Sequence, residues 1–161
     1  MAKKDISIVI EEFANSSELN SDDQLLLDKA RKGTSPSYSP YSNFKVSAVA
    51  KLANGELVSG TNQENASYPV GICAERTLLS AVAVLYPGMA IDTMAISYLN
   101  GNGSSSQAIS PCGVCRQTLV EHEMRTGKQM RIILSGQDGN VLILPSAKSL
   151  LPLSFSADDM K

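Results

Sequence analysis

The chain has 161 residues, of which 14 are lysine or arginine and 16 aspartate or glutamate, for a formal net charge of −2 with its one histidine neutral. That length suits a single domain burying roughly 70% of the surface its unfolded chain would expose, with no need of disulfide staples. No basic run exceeds two residues, which argues against a polyanion groove, and the apolar stretch Ile6 to Ile10 is too short for a secretory core or a bilayer span. The expected setting is the cytoplasm, where three cysteines, an odd number, stay reduced.

In chain order, residues 6–13 alternate weakly and read as a strand. Ser21-Asp22-Asp23 predicts a helix start, and Lys29, Arg31 and Lys32 before Gly33 its end. SPSYSPYS at 35–42 is a loop. NFKVSAVAKL at 43–52 places Phe44, Val46, Ala48 and Ala50 on one face of a strand, and Asn54-Gly55 turns it into a hairpin with ELVSG. A helix follows from Ala74, where eight of twelve residues to Leu85 are Ala, Val or Leu. MAISYL at 94–99 reads as a strand, NGNGSSSQ at 100–107 as a mobile loop, PCGVCRQTLVEHEM at 111–124 as a turn entering a helix, and 130–145 as a hairpin turning at Asp138-Gly139. Strands alternating with helices predict an α/β layer architecture with a mixed sheet.

The chemistry-bearing residues cluster at the starts of two of these helices. Cys112 and Cys115 form a Cys-x-x-Cys at a helix entrance, where a helix N-terminus stabilises thiolates that ligate one metal or cycle as a redox pair. Cys73 stands at the start of the other helix, and both N-termini converging on one ion would use all three thiols. A closed structural zinc site takes four protein ligands; His122 lies seven residues beyond Cys115, about 10 Å along the helix, and reads as a solvated residue between two glutamates. Three thiolates with an open fourth position suit a catalytic zinc. Glu75, two residues from Cys73, then fits a general base, with a fourth metal ligand as the alternative. Arg76 fits a guanidinium that donates to the thiolates and offsets their charge, with an exposed first-turn residue as the alternative.

Cys73-Ala74-Glu75-Arg76 followed by Pro111-Cys112-Gly113-Val114-Cys115-Arg116-Gln117 resembles the zinc signature of the small, homotetrameric cytidine deaminases, a site of the Cys₃ type with a non-ligand glutamate. SPYSNFKV at 39–46, NQENASY at 62–68 and LPLSF at 151–155 resemble further motifs of that family. The resemblance implies a three-layer cytidine-deaminase-like fold, a mixed sheet of about five strands flanked by helices. It implies one domain over 1–161, with an extension to about residue 35 and a core at 38–155. It also implies one Zn²⁺ per subunit on Cys73, Cys112 and Cys115, with Glu75 shuttling a proton during hydrolytic attack on C4 of cytidine or deoxycytidine. Asn62 and Glu64, which face the same way if that segment is extended, would take the ribose 3′-hydroxyl. Phe44 would pack on the pyrimidine, main-chain groups at Cys73 and Ala74 would recognise the base, and Phe155 would come from a neighbouring subunit of a tetramer. Ser47 stands where the family commonly has glycine and Gln63 where it commonly has an aliphatic residue.

The expected partner is a small nucleoside, with neither nucleic acid nor membrane. A blasticidin-type deaminase looks similar at both zinc motifs but lacks the stretch at 62–68. A polynucleotide-editing deaminase is disfavoured by 5% aromatics and the absence of a basic stripe. Readings from other classes are a redox protein using Cys112 and Cys115 and a zinc-stabilised binding module.

Overall fold

Three strands set the directions of everything else. In a computed structural model covering residues 1–161, β2 (Phe44–Leu52) pairs antiparallel with both β3 (Leu57–Thr61) and β4 (Ile91–Asn100), so β3 and β4 point the same way. β5 (Arg131–Ser135) lies parallel to β4, and β6 (Val141–Leu144) returns antiparallel beside it. With β1 (Glu11–Phe13) at the far edge, the order is β1-β6-β5-β4-β2-β3. The resemblance leads to about five strands; β1 is the sixth. Of the strand expected over 6–13 only its last three residues pair, and Ile6, Ile8, Val9 and Ile10 are exposed.

Helices cover both faces, which gives the expected three layers. On one face α1 (Ser21–Lys32) packs Leu26, Leu27 and Ala30 against Val49, Ala95 and Ile133. On the other, α2 (Ala74–Leu85) and α3 (Gly113–Thr126) bury Leu78, Val82 and Leu119 against Ala48, Ala50, Met94, Ile96, Ile132 and Leu134. Alternate residues of β2, β4 and β5 thus enter opposite cores. Asn20, not Ser21, caps α1, its side-chain oxygen accepting from the Asp23 N–H at 2.9 Å.

β3-α2-β4 and β4-α3-β5 are both crossovers between strands of one direction. Progressing the same way across the sheet with the usual right hand, they must lie on the same face. Both helices therefore start at the same end of the sheet. α2 also sits unusually close to β3: a Cβ on Gly60 would meet the Leu78 N at 2.5 Å and the Ala74 O at 2.6 Å. On the opposite face, a Cβ on Gly33 would run into Ser47 Oγ, so the serine at that β2 position sits against a bare helix end.

Two expectations are corrected by burial and hydrogen bonding. His122 is only 4% exposed, and its neighbour Glu123 is also buried. The Glu123 carboxylate accepts from the Met130 N–H at 2.6 Å, the Ser146 hydroxyl at 3.0 Å and the Ala147 N–H at 2.8 Å, so buried donors replace the water that the sequence suggested around this part of α3. The run 100–107 is pinned as well. The Ser105 hydroxyl accepts from the Asn100 N–H at 2.9 Å and its carbonyl from the Gln137 N–H at 2.7 Å, with Gly136 and Gly139 leaving room for the close approach.

Asp23 joins α1 to β5. Arg131 Nη1 and Nη2 donate to its two oxygens, each at 2.7 Å, and Asn20 Nδ2 donates to one of them at 2.7 Å. Burial pushes the Asp23 carboxyl upward, but the Arg131 bonds and charge, Asn20 and Lys51 together hold it below the usual range. Arg131 is partly exposed, which weakens the pair through solvent screening. Asp23→Asn is expected to cost about 1–3 kcal/mol in urea unfolding at neutral pH. A depressed carboxyl contributes its full stability above its unfolded value near ~4 and loses it as pH falls through the lower folded value. The gap between wild type and Asp23→Asn should therefore narrow progressively below about pH 4.

Candidate metal and active site

The common starting end of α2 and α3 brings the three cysteines together. Cys73 is the N-cap of α2 and Cys112 the N-cap of α3, both with extended backbone, and Cys115 lies in the first turn of α3. Neither cap is occupied by a hydrogen-bonding side chain, so the thiols are free to face each other. Their three sulfurs lie within 4.8 Å of one another, with Cys73 Sγ and Cys112 Sγ 4.0 Å apart, and no disulfide joins any pair.

This donor set fits a zinc ion. Sulfurs placed tetrahedrally about 2.3 Å from one ion are about 3.8 Å apart, close to the spacing found. Two helix N-termini add partial positive charge where thiolates must form. A hydrogen bond with Cys115 brings the Cys73 thiol down to about 6 against the opposing effect of burial, while the same contact and burial push Cys115 up. The proximity of Cys73 to both members of the Cys-x-x-Cys distinguishes the cluster from a simple dithiol.

Glu75 is held beside these sulfurs by the first turn of α2 and is only 4% exposed. It takes part in no ion pair. Burial raises its carboxyl, opposed by its own N–H and by Cys115, so its protonated form is easier to reach than that of an ordinary glutamate. It lines a cleft of about 230 Å³ with Cys73, Ala74 and Cys112, whose apolar walls are Val46, Ile96, Ile109 and Pro111. Asn62 and Cys73 also border a wider depression of about 510 Å³ that includes Glu64, Tyr41 and Tyr68.

The expected substrate residues divide into those that reach these hollows and those that do not. Ala74, Asn62 and Glu64 line them. Asn62 Oδ1 accepts from the Val46 N–H at 2.7 Å and its Nδ2 donates to the Phe44 carbonyl at 2.9 Å, which fixes the amide against β2. Glu64 accepts from the Tyr41 N–H at 2.9 Å and from the Ser42 hydroxyl; the latter bond is the main reason its carboxyl stays below the usual range. Phe44 lines neither hollow: its ring stacks on Tyr98 with centroids 4.9 Å apart, and Val46, two residues on, supplies the wall. Phe155 is 60% exposed and also stands outside both. Arg76 donates no hydrogen bond to a sulfur; its charge only helps lower Cys73 from a distance. Ile96, Ile109 and Ser110 were missed, because an apolar strand residue and the end of a loop carry no chemical signature.

Comparison with known proteins places this arrangement. The family model for the cytidine and deoxycytidylate deaminase zinc-binding region matches residues 20–128. The chain belongs to that family. This deaminase chain is 32% identical over 139 residues to the cytidine deaminase of Halalkalibacterium halodurans, a match spanning 86% of this chain and 98% of that one. It is 37% identical over 98 residues to that of Mycobacterium tuberculosis, spanning 61% of this chain and 69% of the other. The crystal structure of cytidine deaminase from Burkholderia pseudomallei superposes with a TM-score of 0.70 at 34% identity, covering 81% of this chain and 97% of that one. The deaminase fold and its zinc-binding region are thus shared, and no helix here is long and apolar enough to cross a membrane.

Elemental analysis of the purified deaminase should find one zinc per chain, and Cys73→Ala should lower that to a small fraction with the loss of one of only three thiolate donors. Full zinc retention by Cys73→Ala would remove Cys73 from the ligand set.

Proposed function

We propose that this chain hydrolyses cytidine and 2′-deoxycytidine to uridine and 2′-deoxyuridine with release of ammonia, a reaction of pyrimidine salvage, in the cytoplasm. The observation that carries the reading is the meeting of three thiol donors beside a buried glutamate that has no ion-pair partner, with Glu75, Cys73 and Cys112 lining one cleft and Cys115 buried behind it. Cys73, Cys112 and Cys115 would hold a zinc ion, which when bound would supply a Lewis acid able to activate water.

The protein's own residues do the rest. Val46 and Ile96 offer apolar faces to a flat pyrimidine, and main-chain groups at Cys73 and Ala74 orient it. Glu75 takes the proton of the attacking water and gives it to N3 as the C4–O bond forms. It then transfers a second proton from that oxygen to the 4-amino group as the C4–N bond breaks, and ammonia leaves. Its raised carboxyl suits both directions of transfer. Asn62 keeps one amide hydrogen beyond its bond to Phe44, and Glu64 is held ionised by Ser42 and Tyr41; together they suit a ribose 3′-hydroxyl. Arg76 moderates the negative charge of the thiolates through space.

The exposed Phe155 ring suits a contribution to a neighbouring site in a homotetramer, which supports an oligomer as the active species. An ultraviolet assay on cytidine, deoxycytidine, CMP and free cytosine tests activity and specificity together; turnover confined to another amine-bearing substrate would overturn the reading. Glu75→Gln is expected to keep its zinc and lose about 10²–10⁴-fold in kcat. In light scattering the active enzyme should run as a tetramer, and full activity from a monomer would exclude the shared site.

A further inference from the structure

The turn of α3 that presents Cys115 also grips a segment far along the chain. Arg116 Nε donates to the Pro111 carbonyl at 2.8 Å, closing the turn before Cys112, and its Nη1 donates to the Leu150 carbonyl at 3.2 Å. Gln117 Nε2 donates to the Phe155 carbonyl at 2.9 Å, 38 residues downstream. Two turns further on, Glu123 accepts from the Ser146 hydroxyl and from the Ala147 and Lys148 N–H groups, fixing the 3₁₀ turn Ala147–Leu150. Every side-chain hydrogen bond between residues 146–155 and another element has its partner on α3, Arg116 and Gln117 as donors and Glu123 as acceptor.

These bonds differ in depth. Glu123 is buried and holds the base of the segment, whereas the Gln117 bond is exposed and holds its tip. Between them, Leu153 and Phe155 are exposed and project away from the core. With its ring facing solvent, Phe155 is fixed by the bond to its carbonyl. The main-chain position from which the ring projects therefore depends on the turn of α3 that carries Cys115 and Gln117.

We propose that Arg116 and Gln117 are positioning residues that couple the cysteine-bearing turn of α3 to the C-terminal segment, so that the presentation of Phe155 is set by the same turn that presents Cys115. The functional half rests on the reading of this chain as a nucleoside deaminase whose Phe155 contacts substrate. Coupling of this kind is reciprocal: order in the turn favours order in the tail, and a tail held against a ligand steadies the turn.

Gln117→Glu keeps the side chain's length and removes the donor; Gln117→Met does the same without adding charge. In hydrogen-exchange mass spectrometry of the intact zinc enzyme, peptides covering 151–157 should exchange at least about threefold faster in both variants, matching the loss of one hydrogen bond. Zinc content should stay at the wild-type level, KM for cytidine should rise about three- to tenfold, and kcat should hold within about twofold. In a Phe155→Ala background, the same substitutions should leave KM where Phe155→Ala alone puts it. Arg116→Lys, which keeps a donor, should exchange more slowly in the tail than Arg116→Ala.

Unchanged tail exchange in Gln117→Met and Arg116→Ala overturns the coupling. Faster exchange with unchanged KM, or a KM effect that survives in the Phe155→Ala background, overturns the positioning role. A protein inert on cytidine would defeat the functional reading, while the exchange comparison would still decide whether turn and tail are coupled.

Discussion

The site depends on two helix N-termini starting at one end of one sheet. Because β3, β4 and β5 share a direction, the connections between them must cross the same face, and each helix begins where its preceding strand ends. Cys73 and Cys112 occupy the corresponding cap positions of α2 and α3, so their convergence follows from topology before any side chain is placed. Partial positive charge at both ends then favours anionic sulfur where three thiols would otherwise repel on ionising. Gly60 gives this geometry its closeness. With no side chain at that point of β3, the first turns of the helix that carries Glu75 rest directly on the strand.

Three buried acids show how the same residue class divides between architecture and chemistry. Asp23 is answered by a bidentate arginine and Glu123 by main-chain and hydroxyl donors, and each ties a helix to a distant part of the chain. Glu75 is as deeply buried as Asp23 but lacks an ion-pair partner, and its environment favours the neutral form. A buried carboxyl without a cation carries a cost in stability. Set beside three convergent thiols, that cost fits the proposed role of Glu75 in exchanging protons with a bound substrate.

Much of this was legible in the sequence, because helix starts, turn residues and cysteine spacing are local signals. Alternation along 43–52, the Asn54-Gly55 turn and the stops around α1 correspond to β2, the β2–β3 hairpin and the ends of that helix. The metal cluster was legible since only three cysteines exist and each marks a helix entrance. What escaped depends on long-range partners. His122 and Glu123 look solvated until Met130 and the 3₁₀ turn arrive to cover them, and 100–107 looks loose until Gly136 and Gly139 receive it. Arg76 looked like a hydrogen-bond donor to sulfur, but adjacency in sequence does not fix where a long side chain points.

The short β1 strand has a consequence for how these molecules meet in crowded solution. It occupies the outer side of β6 and leaves as the new sheet border a segment of three residues, two of them the exposed glutamates Glu11 and Glu12. A second molecule adding itself there edge to edge would bring acidic side chains against acidic side chains along a very short ladder. That border thus discourages edge-to-edge growth on the β1 side of the sheet.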